Sequence, residues 1–306
     1  MRTRRLGDGG PEVSVVGLGC NNFGMRVDRD GTRAVVNAAL DAGVTLFDTA
    51  DIYGNRGGSE SFLGEALEGR RDRVVVATKF GGDMGDGTKA RGSRDYIHKA
   101  IDASLGRLRT DYVDLYQYHT PDGVTPLEET FGALDELVRA GKVRYVGHSN
   151  LDAAQVEEVD ALARRRGFAR PVSAQNQYSL LRREADEELL PACERLRLGV
   201  LPYFPLASGL LTGKYRRGEP PPDGTRLSDR DEVFTEETFD RLEALEGFAA
   251  ERDVTLLQVA IGGLLAQPAI TSVIAGATKP EQVRANAAAG EWQPSADDVA
   301  ALNALR

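Results

Sequence analysis

Cysteine and long apolar runs are scarce in this chain. It has two cysteines among 306 residues, Cys20 and Cys193, which are too few for a disulfide framework and lack metal-ligand spacing. No run approaches the roughly 20 apolar residues that cross a bilayer. The opening MRTRRLGDGG is charged but has no apolar stretch of a signal peptide behind it. We therefore expect a cytoplasmic protein with no membrane association and no metal.

Excess positive charge is also missing. The chain carries 38 Lys and Arg against 47 Asp and Glu, a formal net charge of -9, so a nucleic-acid partner is not expected. Small phosphorylated ligands remain open, because an acidic protein can hold local basic pockets. With 41% hydrophobic and 28% charged residues the composition is globular. No linker or low-complexity segment divides the chain, which predicts one domain over residues 1–306.

Short strand-like runs alternate strictly with amphipathic helical runs. Consecutive strand ends near Asp48, Lys79, His119 and Ser149 lie roughly 30 to 40 residues apart, which is the length of a βαβ unit. Eight such units at this chain length predict an α/β fold, the (β/α)8 TIM barrel, rather than an open sheet. The eight runs are Val13–Gly19, Val44–Asp48, Arg73–Phe80, Tyr112–His119, Lys142–Asn150, Pro171–Ser179, Leu198–Pro205 and Ile270–Gly276.

Two segments lie outside the alternation. The opening TRRLGDGGPEVSVVG predicts an N-terminal β-hairpin that turns at GDGGP and plugs the bottom of the barrel. The irregular stretch Lys214–Phe234 follows the seventh strand and would lie over the active face. Loops of this length are usually functional or disordered. A lid and a floppy surface excursion are equally favoured for residues 214–234.

Polar side chains end six successive strands. Barrel enzymes place their chemistry at the carboxyl ends of the strands, so these residues should converge on one face. Chance loop polarity explains a single such residue better than six successive ends. They are Asp48, Lys79, His119, Ser149 with Asn150, Gln175 with Asn176, and Tyr203.

Four of the nearby side chains suit proton donation to a carbonyl oxygen. Lys79 ends an apolar run, where a buried ammonium needs a partner, and Asp48 on the neighbouring strand can supply it. A cation beside Tyr53 would loosen the phenolic proton, and His119 adds a second donor or a proton shuttle. Taken singly, Asp48 would more often be a helix cap and Tyr53 a packed rim aromatic. Asp51 is interpreted as a loop or capping residue.

The motifs resemble those of the aldo-keto reductases, in the same order. They are DTADIYG, ATKFG, YVDLYQYHTPD, VGHSN, AQNQYSLL, YFPLASGLLTGKY and GATKPEQVRAN, and they span nearly the whole chain. The resemblance implies a (β/α)8 barrel that transfers hydride between a nicotinamide cofactor and a carbonyl. Tyr53 then corresponds to the general acid, Lys79 and Asp48 to the pair that lowers its pKa, and His119 to the residue that orients the carbonyl.

The same resemblance implies a set of cofactor contacts. Ser149, Asn150 and Gln175 would hold the nicotinamide carboxamide, with Tyr203 stacked on its ring, and Pro205–Lys214 would pass the pyrophosphate. The run GLGCNN lacks the G-x-G-x-x-G spacing, so Gly19 is a strand-end contact only. The full predicted set is Gly19, Asp48, Ser149, Asn150, Gln175, Tyr203, Pro205, Leu206, Ser208, Gly209, Leu211, Lys214, Gly276, Thr278, Lys279, Gln282 and Asn286.

The last motif decides which cofactor is expected. Thr278 and Glu281 have the T-x-x-E spacing of a capping box, and a helix N-terminus beside Lys279 is a ready anion site. Gly276-Ala277 and Gln282 stand where mammalian-type relatives carry a Lys-Ser pair and an arginine; the segment instead resembles the bacterial and channel-subunit branches. NADPH is therefore the expected cofactor, with NADH left open.

Three functions remain in competition. The first is an NADPH-dependent reductase of aldehydes and ketones, and the resemblance implies a monomer. The second is a nucleotide-sensing regulatory subunit that resembles the potassium-channel beta subunits. The third is a Schiff-base aldolase using Lys79, against which Asp48 and Tyr53 argue. The natural substrate depends on loops near Asn21–Val27 and Lys214–Phe234.

Overall fold

The barrel sheet is parallel and closed in the computed structural model, which describes residues 1–305. Its strands pair in chain order, and the last pairs with the first. The ring closes where the Val200 N–H donates to Ala269 O at 2.8 Å and the Thr271 N–H donates to Val200 O at 3.0 Å. The barrel prediction is confirmed. The strands are β3 Val16–Gly19, β4 Leu46–Asp48, β5 Val75–Phe80, β6 Val113–Tyr118, β7 Val143–Ser149, β8 Pro171–Gln175, β9 Gly199–Val200 and β10 Val273–Gly276.

Helices surround the barrel and pack against the sheet. In α4, for example, Phe131, Leu134 and Leu137 are buried against the sheet while Glu129 and Glu136 face solvent. No helix within residues 1–305 has the length and apolar content to cross a membrane. The helices are α1 Arg29–Asp41, α2 Tyr53–Ala66, α3 Arg94–Leu108, α4 Leu127–Arg139, α5 Ala153–Arg166, α6 Leu189–Leu196, α7 Glu236–Ala250, α8 Leu256–Leu265, α9 Pro280–Ala289 and α10 Ala296–Ala304.

The N-terminal hairpin closes the bottom of the barrel, as predicted. It pairs β1 Thr3–Arg5 with β2 Glu12–Ser14 in antiparallel register. The Asp8 N–H donates to Arg197 O, just before β9, at 2.8 Å, which places the hairpin turn at the amino ends of the strands. Two hairpin side chains complete the inner core, which consists of Leu6, Val13, Leu46, Ala77, Leu115, Val172, Leu201 and Ile274.

The seventh barrel strand is shorter than the predicted run Leu198–Pro205. Only Gly199–Val200 has strand geometry, because Pro202 has no N–H to donate and Phe204 adopts a left-handed φ of 51°. The chain beyond it is largely irregular as far as α7, and within Lys214–Phe234 it forms one short 3-10 turn at Asp231–Val233. The early end of β9 leaves a long connection at the top of the barrel.

Candidate active site

A cavity of about 830 Å³ opens at the carboxyl ends of the strands, within the usual size range of small-molecule sites. Three of the predicted residues do not line it: Lys79 and Ser149 are buried beside it, and Leu211 packs in the core. Those that line it are Gly19, Asp48, Tyr53, His119, Asn150, Gln175, Tyr203, Pro205, Leu206, Ser208, Gly209, Lys214, Gly276, Thr278, Lys279, Gln282 and Asn286.

A buried ion pair lies under the centre of the cavity. Lys79 Nζ donates to Asp48 Oδ2 at 2.7 Å and to Thr49 O at 2.8 Å, and the lysine side chain has no exposed surface. The amides of Gln175, at 2.9 Å, and Gln117, at 3.4 Å, donate to Asp48 Oδ1. Burial works against the ammonium, but Asp48 and Tyr53 together raise the pKa of Lys79 above its ordinary value. Lys79 is therefore a fixed cation at neutral pH.

Tyr53 lies directly beside this cation. The centroid of its ring is 5.0 Å from Lys79 Nζ, and the His119 ring meets it edge-on at 5.7 Å between centroids. Burial raises the pKa of Tyr53, while the charge of Lys79 works in the opposite direction. The expected lowering by the lysine is present but is outweighed by burial. The phenol consequently keeps its proton at neutral pH, and Lys79 is placed to stabilise the phenolate.

An unusual turn follows Tyr53. Gly54, Asn55 and Arg56 all have positive φ, of 68°, 57° and 67°. A Cβ at Gly54 would come within 2.3 Å of the Ser59 nitrogen, so only glycine fits there. The two non-glycine residues hold a conformation that costs about 1 kcal/mol or more each. This strained turn comes directly after Tyr53 in the chain, so it helps to fix the position of the tyrosine side chain.

His119 lines the cavity beside Tyr53, and its imidazole ring is neutral. Burial, helped by the positive charge of Lys79, lowers the pKa of His119 to about 3. Its two predicted roles were donor and proton shuttle. A ring that stays neutral throughout the physiological range is suited to donating a hydrogen bond, and it does not store a proton.

One wall of the cavity is held by linked amide and hydroxyl groups. Asn150 Nδ2 donates to His119 O at 2.9 Å, and the Tyr203 hydroxyl donates to Asn150 Oδ1 at 2.9 Å. The Ser149 hydroxyl donates to Gln175 O at 2.6 Å, and Ser149 does not line the cavity. Asn150 and Tyr203 therefore keep fixed positions beside His119, and Ser149 supports the wall from behind.

The start of α9 forms the far end of the cavity. The predicted capping box of Thr278 and Glu281 is wrong: Lys279 is the N-cap residue and makes no capping bond with its side chain. The side chain of Gln282, and not that of Glu281, bonds back to the residues before the helix: its Oε1 accepts from the Thr278 N–H at 2.7 Å and from the Thr278 hydroxyl at 3.1 Å. Lys279 is exposed, with no carboxylate within 4.0 Å among the described residues. A free cation thus stands at a helix N-terminus.

Two arginines that the sequence did not single out also line the cavity. Arg26 Nη2 donates to Thr225 O at 3.2 Å, and Arg226 Nη2 donates to Asn22 Oδ1 at 2.9 Å. These bonds join the two loops that were expected to govern specificity, and we call them the loop clasp. The loops themselves were visible as irregular sequence, but no periodicity links positions 199 and 204 residues apart.

Of three other polar residues, Asp51 and His148 are buried and His98 lies on a helix surface. Asp51 is 1% exposed rather than a solvated loop residue, and neither of its carboxylate oxygens has a hydrogen-bond partner within residues 1–305. Burial, with the nearby charge of Glu60, raises the pKa of Asp51 to about 7. His148 is fully buried, which lowers its pKa to about 4. His98 contacts Glu136 on the helix surface at 2.9 Å.

No group of three His, Cys, Asp or Glu side chains in the described part of the chain could hold a metal ion. The buried thiol of Cys20 borders the cavity, and burial raises its pKa well above the ordinary value. The chemistry available at the site is therefore carried by the tyrosine, the lysine–aspartate pair and the histidine.

The chain is similar to proteins named as oxidoreductases and reductases, and to a protein named as a channel subunit. Residues 15–306 match the model of the Aldo/keto reductase family. The uncharacterised oxidoreductase YrpG of Bacillus subtilis is 39% identical, with 93% of this chain and 89% of that protein covered. The L-glyceraldehyde 3-phosphate reductase of Escherichia coli is 34% identical, with coverage of 94% and 86%. A probable voltage-gated potassium channel subunit beta of Oryza sativa subsp. japonica is 37% identical, with coverage of 94% and 90%.

These matches and the barrel define the class as a barrel oxidoreductase. The chain belongs to the aldo/keto reductase family, since both the family model and the relatives cover nearly its full length.

Proposed function

We propose that this protein reduces aldehydes or ketones to alcohols with NADPH as the hydride donor. The observation that carries the proposal is the position of Lys79, which contacts Asp48 at 2.7 Å and lies 5.0 Å from the centre of the Tyr53 ring. A protonated phenol beside a fixed ammonium is equipped to give up one proton and to tolerate the resulting negative charge.

Tyr53 is the general acid in this proposal. Because its pKa is raised, the phenol carries its proton when a substrate arrives. Lys79 stabilises the phenolate as the proton moves to the carbonyl oxygen, and Asp48 keeps the lysine charged and in place. The neutral ring of His119 donates a hydrogen bond to the same oxygen. The buried pair thus acts through the phenol and does not touch the substrate.

The polar groups around the cavity fit a dinucleotide. Asn150, Gln175 and Tyr203 offer amide and aromatic surfaces at the end nearest Tyr53. Elsewhere on the wall, the N-terminus of α9 and the unpaired Lys279 fit a phosphate group. This cation favours NADPH over NADH, because only NADPH carries a phosphate at the 2′ position of its adenosine ribose.

The proton donor can be tested by replacing Tyr53 with phenylalanine. We expect Tyr53→Phe to lower kcat by about 10²–10⁴-fold in an NADPH-oxidation assay on an aldehyde panel that includes 4-nitrobenzaldehyde. NADPH affinity, measured by fluorescence titration, should stay within a few-fold. Tyr145→Phe is the matched control, since Tyr145 lies on β7 outside the cavity. Undiminished turnover by Tyr53→Phe would exclude the proposed acid.

A second candidate function is a nucleotide-sensing subunit, motivated by the similarity to the potassium channel subunit beta of Oryza sativa subsp. japonica. Tight NADPH binding with negligible turnover on every carbonyl tested would favour it over the reductase. The Schiff-base aldolase has less support, because Lys79 has no exposed surface and Nζ is bound by Asp48 and Thr49. Borohydride trapping of a carbonyl substrate on Lys79 would reverse that judgement.

The long loop Lys214–Phe234 is proposed to act as a lid. Its residues 223–226 line the cavity, and Arg226 joins it to the loop that carries Asn22. Hydrogen–deuterium exchange provides the test: bound NADPH should slow exchange of the amides at residues 223–227 several-fold, with little change at the exposed turn near Gly141. Equal exchange with and without NADPH would count against a lid.

A further inference from the structure

A second cavity, of about 320 Å³, lies beside the first. Phe204 and Ser208 belong to the walls of both cavities. The remaining wall comes from the segment after β8, from the end of the long loop, and from the first turns of α7. The volume is that of a small-molecule site. Ser208 is the one member of the predicted cofactor-contact set that lines it, and the proposed carbonyl chemistry uses none of its residues.

Positive charge dominates the wall of this second cavity. Arg182, Arg230 and Arg241 line it, whereas Glu237 is the only acidic residue that does so. Two of the arginines already have acidic neighbours outside the wall: Arg182 lies 3.6 Å from Glu184, and Arg230 lies 2.8 Å from a carboxylate oxygen of the adjacent Glu232. Their side chains are more than half exposed, so these two pairs are weak.

Arg241 is different, because no carboxylate within residues 1–305 lies within 4.0 Å of it, although Glu237 stands one helical turn before it on the same wall. Its Nη2 donates to Leu180 O at 3.2 Å, and no carboxylate among the described residues pairs with it. Its Nε is buried and has no hydrogen-bond partner in that part of the chain. A buried donor without an acceptor is costly, and a guanidinium accommodates a carboxylate or phosphate better than any neutral group. Arg241 therefore lines the cavity as a guanidinium with no carboxylate partner within 4.0 Å among the described residues.

The rest of the wall mixes polar and apolar side chains. Leu181, Phe204, Leu210, Leu227 and Val233 contribute its hydrocarbon surface. From this combination we propose that the second cavity binds a small amphiphile, with one carboxylate or phosphate group held by Arg241 and a short apolar body against these side chains. The two headgroups share the anionic chemistry that the guanidinium requires.

The wall between the two cavities has the strain that often marks functional loops. Phe204, Ala207 and Ser208 have positive φ of 51°, 47° and 59°, although none of them is glycine. Each such residue costs about 1–3 kcal/mol and persists where the surroundings hold it. A ligand in the second cavity would contact this same segment, which also borders the cavity proposed for NADPH.

Hexanoate and hexyl phosphate are suitable probes, with uncharged hexanol as the comparison. Each is titrated calorimetrically into the protein with saturating NADPH and again without it. We expect saturable binding of at least one anion in both series, with hexanol at least tenfold weaker. The anion that binds more tightly identifies the headgroup. No saturable binding by either anion, or equal binding by hexanol, would overturn the proposal, as would displacement of the anion by NADPH.

Substitutions locate the binding. Arg241→Gln is expected to weaken the better anion about tenfold or more, and Arg230→Gln about two- to threefold. Arg165→Gln, an exposed arginine on α5 outside both cavities, should change nothing. Unchanged affinity in Arg241→Gln refutes the assignment, and if that variant fails to fold, the half-exposed Arg230 decides instead. The readout is binding and not turnover, so failure of the reductase proposal would leave this result interpretable.

Discussion

The buried ion pair of Lys79 and Asp48 can be dismantled one partner at a time. Lys79→Met leaves the carboxylate with only the amide donors of Gln175 and Gln117. Asp48→Asn leaves an ammonium with no counter-charge and with the carbonyl of Thr49 as its remaining backbone acceptor. In both single variants a charge is stranded in the barrel, whereas the double variant contains neither charge.

The cost of each single change follows from burial. The side chains are 0% and 5% exposed, and breaking such a pair destabilises a protein by about 3–5 kcal/mol. For a chain of this size that corresponds to a fall in Tm of roughly 5–8 °C. The double variant should lose much less than the sum, with a coupling free energy of at least about 2 kcal/mol. Turnover should not recover with stability, because Tyr53 lacks its ammonium in the double variant.

Urea unfolding at pH 7 and kcat for NADPH-dependent reduction, measured on all four proteins, test both parts. Additive losses of stability would refute the isolated-pair argument, and a double variant with restored turnover would refute the role of Lys79 in proton transfer. The pH dependence has a definite sign. Because the pKa of Lys79 is raised on folding, its contribution is complete below the unfolded value near 10.4 and is lost as pH rises through the folded value.

Three further predictions concern single side chains. The lowered pKa of His119, about 3, means that kcat should show no titration of this ring between about pH 5 and 8; an inflection abolished by His119→Gln would contradict this. Asp51, with its pKa raised to about 7, should make folding less stable as pH rises from about 4 to 7, by up to about 4 kcal/mol; urea unfolding of Asp51→Asn should lack that dependence, and an unchanged slope would argue against it. Lys279→Met should weaken NADPH binding about tenfold and leave NADH binding unchanged. Arg284→Met, at an exposed position of α9 outside the cavity, should alter neither. Equal losses of affinity for both cofactors in the titration would count against the phosphate contact.

Much of the fold follows from periodic signals in the sequence. Apolar β-branched runs such as the one ending at Lys79, and helical faces such as that of Phe131 and Leu134, recur at the spacing of βαβ units, and that spacing is enough to predict the barrel. The extent of β9 could not be predicted in the same way. Its apolar run continues to Pro205, but Pro202 and the left-handed Phe204 end the strand early.

The centre of the candidate site was predictable for a geometric reason. Parallel strands bring their carboxyl ends to one face, so Asp48, Lys79 and His119 had to converge there. Contacts made by irregular loops have no such rule. The capping role of Gln282, in place of Glu281, depends on the exact start of α9, which sequence patterns locate only to within a few residues.

The loop clasp also bears on how such a barrel can change its substrate. The bonds from Arg26 to Thr225 and from Arg226 to Asn22 are reciprocal, in that each loop supplies one arginine and one acceptor. A chimera that inherits only one loop from a relative would lose an acceptor and an arginine together, and would leave one guanidinium group and one acceptor on the retained loop without their counterparts. We therefore expect a graft at this barrel mouth to be tolerated when both loops come from the same relative, and to destabilise the loops when only one of them is exchanged.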